Sequence, residues 1–143
     1  MGTMNVLDGA ARHTPPDPGE ATHWIEHLRA PDLSVGTYSI PRGGRDDQSP
    51  HTEDEVYVVT AGRAMFEADQ DRTAVGPGSV IYVPAGQLHR FVDVTEDLAA
   101  VVLFAPAEGA RQPLLASAAE PAARIELLRG RSGKLPSGPG LDS

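Results

Sequence analysis

A chain of 143 residues fits one domain and is long enough to bury a modest core without help. It contains no Cys, which excludes disulfides and thiolate metal sites, so any metal must be held by nitrogen and oxygen donors. A formal net charge of -8 argues against nucleic acid as a partner, and no apolar run is long enough to span a membrane. The N-terminus lacks the apolar core of a secretory signal, so the expected location is cytoplasmic.

Residues 1–21 show no periodicity. Pro15, Pro16, Pro18 and Gly19 suit neither helix nor strand, and the segment reads as an arm, flexible or draped over the body. The body is expected over residues 22–105. Its first strand is Thr22 to Leu28, with Trp24 on one face and His23, Ile25 and His27 on the other. His23 and His27 read as partly exposed strand residues with no ligand role. Ala30-Pro31-Asp32 turns the chain into a second strand, Leu33 to Ile40. A polar loop follows to Gln48, carrying Arg42 and Arg45 as solubilising charges.

The β-branched run Val56-Tyr57-Val58-Val59 marks a strand from Glu55 to Thr60. Ala61-Gly62 reads as a hairpin turn, with Arg63 to Ala68 returning. Thr73 to Val75, Ser79 to Val83, Leu88 to Val94 and Leu98 to Phe104 complete the strands. Roughly eight short strands without interleaved helices point to an all-β antiparallel sandwich or barrel. Residues 106–143 form a C-terminal extension. It holds a short helix near residues 118–129, with Pro121 in its first turn and Gly130 at its end, and a disordered tail from Ser132.

The chemistry concentrates between Ser49 and Asp93. In an extended segment His51 and Glu55 point the same way, and His89 opens another strand just after Pro84-Ala85-Gly86. Two imidazoles and a carboxylate suit iron(II), manganese, nickel, zinc or copper. Glu53 shares their parity and is a candidate general base, although a solvated turn carboxylate is the simpler reading. Tyr57 also shares it, as a cavity-lining candidate or as core.

At these residues the sequence resembles the cupin superfamily. Gly43 or Gly44, His51, Glu55 and Gly62 follow the spacing of that family's first motif, and Gly78, Pro84, Gly86 and His89 that of its second. Ser49 stands where the family carries another histidine, and Asp93 where it usually carries Asn. The resemblance implies a small jelly-roll (double-stranded β-helix) barrel with a metal near one mouth, held by His51, Glu55 and His89. The departure at Ser49 leaves three outcomes: a facial triad with open positions, Gln48 as fourth ligand, or a metal-free site. By the same resemblance the function is that of a metal-dependent enzyme on a small organic molecule, dioxygenase-like with iron(II). The alternatives are a sugar isomerase or epimerase and a non-catalytic binding module. A homodimer joined near Trp24 and Ile25 is also implied.

Overall fold

The computed structural model describes residues 3–48 and 50–111. The helix expected near residues 118–129, the tail from Ser132 and the side chain of Ser49 lie outside the described residues. Six antiparallel strands form the body: β1 (His23–Ala30), β2 (Leu33–Ile40), β3 (Asp54–Ala68), β4 (Asp71–Val75), β5 (Val80–Val83) and β6 (His89–Ala105). Their order is β1-β2-β6-β3-β4, with β5 pairing β3. Among the described residues no helix is long and apolar enough to cross a membrane.

The hairpin expected at Ala61-Gly62 does not form. The chain continues as one strand, and β3 pairs β6 from Asp54↔Ala105 to Ala68↔His89. What stands there is a run of register shifts between Val59 and Met65. Gly62 has φ 83°, and a Cβ on it would fall 2.2 Å from the carbonyl oxygen of Asp97. A glycine in this conformation fits a bulge as well as a turn, and the sequence signal does not separate the two. The bulges reverse the side-chain parity: Glu55, Tyr57 and Val59 face inward before them, Ala64 and Phe66 after them.

The two strands expected over residues 88–94 and 98–104 are likewise one, β6. It bends where Asp93 adopts φ 51°, a left-handed conformation that Asp and Asn tolerate better than other side chains. The residue that departs from the family's usual Asn therefore still meets the backbone demand of the position.

Between the bent ladders lies one apolar core: Ile40, Tyr57, Val59, Phe66, Phe91, Leu98, Val102 and Phe104. Each such side chain contributes roughly 1.5–3 kcal/mol by leaving water. Outside the sheet the N-terminal arm is stitched to three strands. His13 Nδ1–H donates to the Leu98 carbonyl (2.9 Å), Thr14 N–H to Ser39 Oγ (3.0 Å), and Thr60 Oγ1–H to the Ala11 carbonyl (2.7 Å). Thr37 Oγ1–H donates to the Ala10 carbonyl.

Candidate metal and ligand site

Two backbone-directed contacts bring the motif segments together. Gly86 N–H donates to the His51 carbonyl (2.8 Å), and Ala85 N–H donates to Asp54 Oδ1 (2.9 Å). The Pro84-Ala85-Gly86 turn is thus pinned beside the chain entering β3. Its Gly86 has φ 80°, as the turn requires. Glu55 then lies between Val83 of β5 and Phe104 of β6.

Glu55 is 1% exposed, and neither of its carboxyl oxygens has a hydrogen-bond partner among the described residues. Oε1 lies 3.1 Å from His89 Nε2. His89 Nδ1–H donates to the Gln87 carbonyl (2.8 Å), which leaves a lone pair on the inward Nε2. That nitrogen accepts from the Tyr57 hydroxyl at 3.0 Å. Tyr57 in turn accepts from Gln48 Nε2 (2.6 Å), and Gln48 Oε1 accepts from His51 Nε2–H (3.2 Å). A one-way chain of donors therefore runs from His51 through Gln48 and Tyr57 to His89.

This chain decides how the expected ligands stand. His89 and Glu55 converge, while the inward nitrogen of His51 is turned to Gln48. Among the described residues no three His, Asp or Glu side chains form a ready metal-holding group. The Glu55–His89 pair nevertheless fits a divalent cation: a carboxylate oxygen and an imidazole lone pair meet, and the buried oxygens call for a positive partner.

Other assignments change with burial. Glu53 is not a solvated turn carboxylate but is 1% exposed, because the segment before β3 tucks under the chain leaving β6. Its Oε2 accepts from Thr52 Oγ1 (2.6 Å) and from Arg111 N–H (3.3 Å), while Oε1 has no hydrogen-bond partner among the described residues. Tyr57 is fully buried. Burial, reinforced by the charges of Glu55 and Asp46, pushes its hydroxyl well above the ordinary tyrosine range, so it stays a proton donor. His51 is held below its ordinary value, mainly by burial and against the pull of Glu55, so it is neutral at neutral pH.

A cavity of about 220 Å³ opens onto this chain, lined by Trp24, Tyr38, Gln48, His51, Glu55, Phe104 and Glu108, with Thr22 and Val102. Two of these contributions, and one residue behind them, are not evident from the sequence motifs. Trp24, assigned above to a dimer contact, lies across Gly36: a Cβ on Gly36 would fall 2.3 Å from its ring. A glycine inside a strand is a signal of such close approach. Glu108 follows the barrel, and its carboxylate stands 3.6 Å from His51 Nδ1. Asp46 sits behind the wall and carries no motif signal at all. It accepts from Tyr38 O–H (2.6 Å), Phe91 N–H (2.8 Å) and Gln48 N–H (3.3 Å), which fixes the loop that presents Gln48. A larger surface hollow of about 690 Å³ beside Gly43 and Asp93 lies away from this chain of donors.

A family model described as a cupin domain matches residues 36–106, the span that holds both motif segments. The chain belongs to the cupin superfamily. This cupin is 45% identical over 85 residues to an uncharacterized protein of Streptomyces coelicolor, a match covering 59% of this chain and 81% of that one. Among solved structures it is similar to KdgF from Halomonas sp. (TM-score 0.58, 22% identity, 66% of this chain and 86% of that one). It is also similar to an RmlC-like cupin from Shewanella frigidimarina (TM-score 0.59, 16% identity, 72% and 92%). The DMSP lyase DddQ from Ruegeria pomeroyi matches with TM-score 0.57 and 19% identity over 71% of this chain and 54% of that one. At these identities the solved structures speak for the fold alone.

Proposed function

We propose that this cupin is a metal-dependent enzyme acting on a small organic molecule held in the Trp24–Glu108 cavity, with dioxygenase-like chemistry on iron(II) as the leading form. The observation that carries the reading is Glu55: a buried carboxyl group in the cavity wall, 3.1 Å from an imidazole nitrogen and with no hydrogen-bond partner among the described residues. Glu55 and His89 would hold the ion, and His51 would join them by exchanging Gln48 for the metal. A divalent metal bound there supplies a Lewis acid or an oxygen-activating centre. Tyr57 keeps its proton, and Gln48 orients it as the neutral hydrogen-bond donor beside the Glu55–His89 pair.

Elemental analysis of the protein reconstituted with iron(II) tests this, with oxygen uptake measured across catechol, flavonol and thiol substrates. The expected result is about one ion per chain, lost in His89→Ala, and substrate-dependent uptake. Failure to retain stoichiometric metal overturns it. The unbroken His51–Gln48–Tyr57–His89 chain favours a second reading, a binding module that needs no metal. Ligand affinity unchanged by complete chelation would select that one.

A further inference from the structure

The charge of the cavity narrows what it can hold. Two of its lining groups are carboxyls, Glu55 and Glu108, and among the described residues no Lys or Arg lines it. Glu26 and Glu53 add to the same field: burial first, and then these charges, push the Glu108 carboxyl above its ordinary range. Two cations lie near. Arg29 pairs with Glu26 and donates to the Glu108 carbonyl, and Arg111 donates to the Thr52 carbonyl. Arg29 opposes the acidic field at Glu108 without cancelling it. A carboxylate or phosphate entering this cavity faces two carboxyls and no cationic side chain in the described lining.

Much of the remaining wall is aromatic. Trp24 and Phe104 meet edge to face at 6.0 Å between ring centres, and His51 packs on Phe104 at 4.6 Å. Tyr38 completes the enclosure. Ring faces attract a cation, and more so where water is excluded. Glu55, the inner of these two carboxyls, has both oxygens buried in the wall of this same cavity with no hydrogen-bond partner among the described residues and only His89 Nε2 at 3.1 Å, which adds to the call for positive charge. Glu108, with 27% of its side chain exposed, stands at the outer end, whereas Glu55 is sealed at the inner end. A positive group at the outer end therefore need not compete with a metal at the inner one.

We propose that the cavity selects a small ligand carrying an alkylammonium group, seated against Trp24 and Phe104 with its charge facing Glu108. The proposal rests on reading this cavity as the substrate pocket, and it holds whether or not a metal occupies the inner end. Trp24 is the chain's single tryptophan, so its emission reports occupancy directly.

The test is titration of the full-length protein with choline, with dimethylbutanol as the neutral isostere in which carbon replaces nitrogen, and with the anion pivalate. Trp24 fluorescence and calorimetry are read before and after chelation, with metal content measured alongside. Choline is expected to bind roughly tenfold or more tighter than the isostere, and pivalate weakest. Glu108→Gln should bring choline and the isostere to about equal affinity while leaving the isostere unchanged. Equal binding of choline and isostere by the unaltered protein overturns the proposal, as does preference for pivalate. Silence of all three probes at millimolar concentration overturns it as well. Metal content is decided separately, so loss of the metal reading leaves the cation preference standing, and the converse holds too.

Discussion

Glu55 is sealed from water, and among the described residues neither of its oxygens has a hydrogen-bond partner. Substituting an amide removes the buried charge beside His89 Nε2 while keeping the shape of the side chain. In metal-stripped protein Glu55→Gln should therefore raise stability by about 1–3 kcal/mol in urea unfolding, while abolishing metal retention. Destabilisation by this substitution would show that the carboxylate is already compensated. His51 gives a pH dependence. Burial lowers its pKa from 6.5, so the unfolded chain binds a proton more readily than the folded one. Its contribution to stability is present above 6.5 and is lost as pH falls from there through the folded pKa. Glu108 has the opposite sign. Its raised pKa gives a contribution present below 4.5 that is lost as pH rises through the folded value. Melting temperatures in chelator should thus fall more steeply between neutral pH and 5 in Glu108→Gln than in Glu108→Gln combined with His51→Gln. Parallel curves would remove His51 as the cause. Residue spacing exposes Glu55, His51 and His89, because their motifs are local. It does not expose Asp46 or Glu108, because each acquires its surroundings from strands far away in the chain.

At the level of elements, β3 and β6 carry the construction. Their pairing holds Glu55 beside Phe104 and His89 beside Ala68. Gly62→Ala places a methyl group into the backbone at Asp97 and forces a side chain onto φ 83°, so a loss of roughly 2–4 kcal/mol is expected in denaturant unfolding. A loss under half a kcal/mol would mean that the bulge relaxes freely. Gly36→Ala acts differently: it displaces the Trp24 ring from the cavity wall. A red-shifted Trp24 emission together with a lowered melting temperature is the expected signature, because the same methyl group would also stand 2.6 Å from the Ile25 carbonyl oxygen. The existence and order of the strands are legible from alternation and turn residues. The joining of four expected strands into two is not. A glycine bulge and an Asp in left-handed conformation look like turns until the ladder on the other side is known.

Across the whole molecule, β1 ends the sheet, with Trp24 37% and Ile25 45% exposed on it. An open edge with apolar side chains invites a partner strand, and the homodimer expected from sequence would use it. Light scattering at micromolar concentration should give twice the chain mass. A monomer there, or a dimer unaffected by Ile25→Lys, would place the interface elsewhere or remove it. The arm has a consequence for how the molecule is assembled. Its anchors at Thr37, Thr60 and Leu98 belong to strands that are neighbours only after distant parts of the chain have met. The segment around Ala10 to Thr14 cannot find its seat early. In pulse-labelled refolding the Thr14 amide should become protected last, as a late timestamp that the sheet beneath it is complete.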